Sequence, residues 1–482
     1  MAPFSRLAAP QPFLRLAESA ARRPDAAGLV AGKQRVSFST LASDCLRIGA
    51  LLRDRGIQRG DYVSVDTSAQ LNFFFSQALF ALCAVGTIYT GRHRLDNPQG
   101  FDWRITDRPD HEFPPARTIV VDVQFLKEAA DIKEPLTIEH YDSFTSVCRV
   151  VFSSGTTGEP LPVPLTVKNL DKRTQVAHDY WFPMRPLFSL VSMSSSIGLL
   201  ASLSNMATAT PYLVPGSPQE NLEMVKCEFV GCLIASGVQL AELLQLSPSA
   251  TEFSNLGMIV TAGGAPPIHL SRKLRASTDA VLMNFYGATE SGGLMIGPIG
   301  ESGDVRFDPP FPGAALEVVD SNDQPLPIGE VGTLRVKSEW QANGYYHGGE
   351  ATKIAFRTGW FYSGDLAKMQ ENGAVSLHGR SGEVVNFGGV KIDLARADHL
   401  LSEYDGVKEA AVVGIEDEWG VLWPIVGYVP ATGFDEEQML SHCIRVLQGL
   451  IPHGFVEFDV LPRSALGKIR RSQLRDEIAD AL

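Results

Sequence analysis

Three segments of the chain carry residue types that could do chemistry on a phosphorylated ligand. Ser153-Ser154-Gly155-Thr156-Thr157-Gly158-Glu159-Pro160 follows directly on a short β-branched run, Arg149 to Phe152. Its hydroxyls and glycine-permitted backbone NH groups can form a concave donor surface for phosphate oxygens. No Gly-Lys-Ser/Thr follows, so it is not a Walker A loop, and a polar surface loop is the plain alternative. Asn284-Phe285-Tyr286-Gly287-Ala288-Thr289-Glu290 offers a stacking face for a base, a tight turn, a phosphate-binding hydroxyl and a carboxylate able to ligate Mg²⁺. Its alternative is a strand-end turn with a solvated glutamate. Thr261-Ala262-Gly263-Gly264-Ala265-Pro266 could let a planar base lie on bare backbone.

Helical and strand patterns alternate around these segments, which predicts α/β layers. Phe13 to Arg23 and Phe38 to Arg55 have helical spacing; Tyr62 to Val65, Thr118 to Val123, Met258 to Thr261 and Ala280 to Asn284 are β-prone. Ligand sites in α/β folds favour the carboxyl ends of strands, which makes all three segments candidates for one site. From about Pro312 the pattern becomes short β-prone pieces: Leu316 to Val319, Gly332 to Val336, Gly359 to Tyr362 and Ala374 to Leu377. After Gly379-Arg380 it returns to mixed α and β. The expected fold is α/β: a large N-terminal domain of two doubly wound α/β subdomains plus a β-rich subdomain, over 1–379, a hinge at 380–383, and a small mobile α+β domain at 384–482.

The chain has 482 residues, and 42 Lys+Arg against 55 Asp+Glu give a net charge of −13. With 44% hydrophobic residues it is a globular protein of about three packed units, not a disordered or fibrous one. The acidic balance argues against nucleic-acid and membrane-surface partners. Six scattered cysteines without a CxxC pair read as buried thiols in a reducing cytoplasm. Met1 to Ala20 lacks the uninterrupted apolar core of a secretory signal. The uncharged stretches Leu71 to Thr90 and Pro186 to Gln219 contain Asn, Ser, Gln, Gly or Pro and read as buried core, not membrane spans. The first is expected to be a helix followed by a strand from Thr87 to Thr90.

The ordered series SSGTTGEP, AGGAP, NFYGATE, TGWFYSGD, GR and LPRSALGKIRR resembles the adenylate-forming superfamily of acyl- and aryl-CoA synthetases, peptide-synthetase adenylation domains and luciferases. The resemblance implies that Ser153, Ser154, Gly155, Thr156, Thr157 and Gly158 hold the ATP phosphates. Gly263, Gly264 and Ala265 would line the adenine, with Asn284 and Gly287 beside it and Tyr286 on its face. Thr289 would touch phosphate, Glu290 would ligate Mg²⁺, and Asp365 with Arg380 would hold the ribose. Lys468 would bridge the carboxylate and the α-phosphate, and Thr156 and Glu290 would act with it. Two anions must meet in that step, so positive charge there is the main catalytic requirement. On the residues alone, Lys468 is as readily a solvated lysine of a basic tail with Arg463, Arg470, Arg471 and Arg475. Gly388 and Gly389 would let a pantetheine arm pass, in a second orientation of the C-terminal domain about Gly382.

The chain departs from its relatives at Leu161, where they carry the phosphate-loop lysine, at Val167 in place of a histidine, and at Asn386 and Arg396. Ser192 to Gly198 has no charge to pair an ammonium, which disfavours an α-amino acid. Ser195, Gly198, Gly287 and Gly292 are small enough to suggest room for a bulky apolar or aromatic acid, or else ordinary helix packing. The resulting expectation is an acid–thiol ligase that uses ATP and Mg²⁺ to form acyl-AMP and passes the acyl group to coenzyme A or a carrier-protein phosphopantetheine. Its alternatives are thioester formation from an acyl-AMP supplied by a companion adenylating ligase, acid loading onto an acyl carrier protein, a degenerate nucleotide- or acyl-binding protein, and an oxidative luciferase-like reaction. Partners are the small-molecule acid and no nucleic acid, with a monomer or homodimer.

Overall fold

The computed structural model describes residues 12–482 except 69–70, 92–99, 110–112, 139–142, 154–160, 182–185, 247–251, 263, 267, 302, 381–383, 388–389, 417–421, 448–449 and 465–466. Two parallel sheets form the platform. The first runs Thr118–Val120, Trp103–Thr106, Tyr62–Asp66, Ile88–Gly91, Val147–Phe152, with Pro162–Thr166 antiparallel at its edge. The second runs Leu187–Ser189, Cys232–Ala235, Met258–Thr261, Val281–Ala288, with Gly292–Pro298 antiparallel. The central strands are nearly continuous apolar runs because helices cover both faces.

The helix Phe38–Asp54 shows how the sequence builds this layer. Leu41, Cys45, Ile48 and Leu52 recur at helical spacing and are buried, and the Ser37 hydroxyl caps its start by accepting from the Thr40 NH. It packs on Asn72–Val85, whose buried residues go all round the axis. That helix has 14 residues, short of the roughly 20 a bilayer requires, and ends at Gly86 with φ +80°. The strand Ile88–Gly91 follows, as the sequence pattern expects. Among the described residues no helix is long and apolar enough to cross a membrane. Thr118 to Val123 is not one strand: it stops at Val120, and Asp122 caps the helix Val123–Asp131 through the Phe125 NH.

The strands Ala314–Val319, Val331–Ser338, Phe356–Arg357, Trp360–Met369 and Val375–Arg380 form an antiparallel sheet around Leu316, Leu334, Val336, Phe361 and Val375. The small C-terminal domain has a hairpin, Val384–Phe387 with Val390–Asp393. Its three-stranded sheet, Val407–Glu416, Leu422–Pro430 and Gly454–Glu457, is flanked by the helices Leu394–Leu401, Glu436–Val446 and Arg471–Ala481. Arg471 makes a bidentate pair with Asp398 at 3.0 and 2.6 Å, locking the last helix to the first.

Candidate active site

The strand Val281–Ala288 runs through most of the aromatic and acidic segment, so Asn284, Tyr286 and Gly287 sit on a strand and not in a turn. Its register with Met258–Thr261 sets Asn284 opposite Thr261, and the Asn284 amide donates to the Thr261 hydroxyl at 2.7 Å. Both are buried, so this bond ties the two strand ends that border the site. Gly264 follows Thr261 with φ +142° and open space where a side chain would stand, the flat backbone surface that a planar base needs. Ala265 is exposed beside it, and Gly263 lies outside the described residues.

Tyr286 reaches the β-rich subdomain. Its hydroxyl donates to Asp365 Oδ2 at 2.5 Å, with Ser363 Oγ 3.2 Å away. Gly364, between those two residues, has φ +77° and nothing within 4 Å of an added Cβ. An aromatic edge, a carboxylate and bare backbone therefore converge. Arg380 is paired in register with Asp365, its side chain lying outside the described residues.

Thr289 and Glu290 form the corner between Val281–Ala288 and Gly292–Pro298. Glu290 is 6% exposed, and its Oε1 accepts from the Tyr345 hydroxyl at 2.9 Å. Its carbonyl accepts from the Ala342 NH at 2.8 Å. Burial, and after it the Glu290 carboxylate, pushes the Tyr345 phenol up, so that hydroxyl remains a donor. The corner is also held by Arg173, a residue that the motif pattern does not mark. Its guanidinium donates to the carbonyls of Thr289 at 2.9 Å, Glu290 at 3.1 Å and Trp340 at 3.0 Å. A signal exists in the sequence, since Val167, Leu170, Arg173 and Thr174 share the buried face of the helix Val167–Val176. Arginine on such a face needs acceptors, but spacing cannot say which.

The phosphate-loop residues Ser154, Gly155, Thr156, Thr157 and Gly158 lie outside the described residues, as do Gly388, Gly389 and the hinge at 381–383. The loop's ends are described and closed: the Ser153 NH donates to the Leu161 carbonyl at 2.9 Å, and the Leu161 NH to the Ser153 hydroxyl at 3.0 Å. They lie between the strands Val147–Phe152 and Pro162–Thr166, at the carboxyl end of the former.

At three of the small residues named for the acid pocket, protein stands where a side chain would begin. An added Cβ on Gly292 would lie 2.6 Å from Trp340 Cδ1, on Gly287 2.4 Å from the Gly292 carbonyl, and on Gly198 2.2 Å from the Ser192 carbonyl. These glycines serve close backbone approach, and Ser195 caps the helix Ser196–Ala207 through the Gly198 NH. The fully buried Arg149 holds the preceding segment, donating to the carbonyls of Met193 at 2.8 Å and Ser194 at 3.2 Å.

Lys468 sits in a turn closed by Ser464, whose NH donates to the Lys468 carbonyl at 2.7 Å. The tail is not a uniformly solvated basic surface: Arg463 pairs with Glu409 and Arg471 with Asp398. Gly467, with φ +78°, places the turn against the platform, where an added Cβ would meet Val238 Cγ2 at 2.6 Å. Val238 belongs to the helix Gly237–Gln245, which leaves the strand Cys232–Ala235 of the second sheet. His399 of the C-terminal domain likewise lies beside Gly303.

Residues 16–346 match the model of the family described as AMP-binding enzyme. The chain belongs to that family. Among curated relatives, a 2-succinylbenzoate–CoA ligase of Listeria monocytogenes is 26% identical over 372 residues, covering 72% of this chain and 73% of the relative. A long-chain-fatty-acid–CoA ligase of Escherichia coli is also 26% identical, over 68% of this chain and 61% of the relative. Of solved structures, ATP-bound MatB from Rhodopseudomonas palustris superposes with a TM-score of 0.84 at 22% identity, over 98% of this chain and 100% of the other. The anthranilate CoA ligase AuaEII with anthranoyl-AMP gives 0.83 at 21% identity, over 99% of each chain. The fold is thus that of adenylate-forming enzymes, an α/β platform with a small C-terminal domain, and the curated relatives named are acid–thiol ligases.

Proposed function

We propose that this AMP-binding enzyme joins a carboxylic acid without an α-ammonium group to the thiol of coenzyme A by way of acyl-AMP. The observation that carries the reading is the convergence of Glu290, the Tyr286–Asp365 pair and the bare backbone at Gly264 and Gly364 at the ends of one sheet and its neighbour. In this reading Gly264 and Tyr286 flank the adenine and Asp365 accepts from the ribose hydroxyls. Glu290, an acceptor-only side chain when ionised, fits a hard divalent cation. Mg²⁺ bound there would supply positive charge at the phosphates.

Lys468 would bring the second positive charge to the point where the acid's carboxylate meets the α-phosphate. The uncharged segment Ser192 to Gly198, fixed by Arg149, would line the acid and would leave an ammonium unpaired. Residues 1–379 would form the binding platform, 380–383 the hinge, and 384–482 the domain that presents Lys468 and then withdraws it. The relatives' names, a 2-succinylbenzoate ligase and a fatty-acid ligase among them, support the acid–thiol chemistry.

The test is incubation with ATP, Mg²⁺, CoA and a panel of aryl, fatty and dicarboxylic acids, reading AMP and acyl-CoA by mass spectrometry. Equal amounts of AMP and one acyl-CoA are expected. Conversion of supplied acyl-AMP to thioester without any AMP formation from ATP would identify the narrower activity, for which Leu161 at the loop's end, in place of a cation, is the motivating residue. No product from either route would sink the proposal.

A further inference from the structure

We infer that Arg173 is the positioning residue of the Thr289–Glu290 corner: it fixes the backbone from which Glu290 presents its carboxylate to a divalent cation. The inference rests on the proposed nucleotide-dependent function for its Mg²⁺ part and on geometry alone for its backbone part. Arg173 is 1% exposed, in the middle of a helix, and its partners are carbonyls instead of a carboxylate. Burying a guanidinium is unfavourable unless its donors are satisfied. Here one planar fork spans two chain segments far apart in sequence, taking Thr289 and Glu290 with one edge and Trp340 with another, with Ser196 Oγ at 3.4 Å.

The packing around the fork leaves no slack. Gly292, with φ +71°, has Arg173 Nε 3.0 Å from where a Cβ would stand and the Trp340 ring closer still. Trp340 in turn donates its indole NH to the Gly293 carbonyl at 3.1 Å, and the Ser338 hydroxyl donates to the Ser291 carbonyl at 3.0 Å. The carbonyls of residues 289, 290, 291 and 293 are therefore all taken by donors from the helix Val167–Val176 or the segment 338–340. Arg173 is the member of this set that carries charge, and it lies behind Glu290, where their attraction partly offsets the guanidinium's burial. Lysine would keep the charge, but its three donors sit on one nitrogen and cannot span carbonyls that Arg173 reaches from Nε, Nη1 and Nη2.

Two variants remove the fork, one with the charge kept and one without: Arg173→Lys keeps the charge, and Arg173→Gln loses both. Hydrogen exchange on the protein without ligands is the primary readout. In any variant that folds, amides of 288–295 and of Ala342 should exchange at least about tenfold faster, with Val407–Glu416 unchanged. Arg149→Lys is the control and should speed exchange at 192–198 instead. The second readout is calorimetric binding of ATP across a Mg²⁺ titration: the Mg²⁺ concentration for half-saturation should rise about tenfold in both variants, while ATP affinity in EDTA should change by less than that. Unchanged exchange at 288–295 in a folded Arg173→Lys protein, or exchange that rises uniformly over both platform sheets, would overturn the inference. Failure of the wild-type protein to bind ATP would count against the proposed function, and the exchange result alone would then decide the role of Arg173.

Discussion

The corner at Glu290 and the turn at Lys468 would place charge at the same phosphates, yet they are held in opposite ways. The corner is buried and tied by Arg173, Ala342 and Tyr345, which come from other parts of the platform. The turn is closed by local hydrogen bonds from Ser464 and Arg463, and it meets the platform where Gly467 touches Val238, a residue 42% exposed. A network of buried donors allows one arrangement, whereas a van der Waals contact at an exposed side chain is readily made and broken. On the proposed reading, this fold would supply one charge from a preorganised corner and the other by docking a separate domain.

Substitutions test that contrast. The largest effect is expected from Lys468→Ala. Acyl-AMP formation should fall by roughly 10²–10³, about 3–4 kcal/mol, while thioester formation from supplied acyl-AMP persists, as separate assays of the two half-reactions would show. Equal losses in both halves would mean that the lysine is not delivered for one step alone.

Next comes Gly292→Ala, which adds overpacking of roughly 1–3 kcal/mol against Trp340 and Arg173 to about 1–2 kcal/mol of strain at φ +71°, roughly 2–5 kcal/mol in all, seen as a lower thermal midpoint. Gly364→Ala, also at positive φ but in open space, should cost about 1–2 kcal/mol from backbone strain alone. Should the two midpoints drop equally, the corner is not tightly packed.

Gly467→Ala probes the docking contact. Its Cβ would overlap Val238, so acyl-AMP formation should drop about tenfold, equivalent to roughly 1.4 kcal/mol, and the φ of +78° adds about 1–2 kcal/mol of backbone strain that lowers the thermal midpoint of the C-terminal domain. Adding Val238→Ala should restore part of the loss; a double variant no better than the single one would show the contact to be incidental. The smallest effect is expected for Tyr286→Phe. Losing the bond to Asp365 should weaken ATP binding by about 1 kcal/mol, measurable by calorimetry, and unaltered affinity would remove this pair from the site.

Much of the architecture is legible in the sequence because local periodicity is set by local residues. The buried helix and following strand at 72–91, the strand Met258–Thr261 and the change to an antiparallel sheet after Pro312 all follow from apolar spacing and turn residues. The β-prone run ending at Asn284 is shorter than the strand that forms, since Phe285, Tyr286 and Gly287 extend its pairing with Gly292–Pro298. The supports of the site are not legible. Arg173 meets Trp340 across 167 residues, and Tyr345 meets Glu290 across 55, and no spacing rule couples such positions. Gly292 shows the same limit: nothing in the local sequence reveals that the Trp340 ring stands where a side chain would begin.

The most direct test of the central claim is exchange of labelled pyrophosphate into ATP, with Mg²⁺ and without CoA, across a panel of non-amino carboxylic acids. Exchange that depends on one class of acid, and is lost in Lys468→Ala, is the expected result. Absence of acid-dependent exchange across the whole panel, in protein shown to bind ATP, would contradict the account.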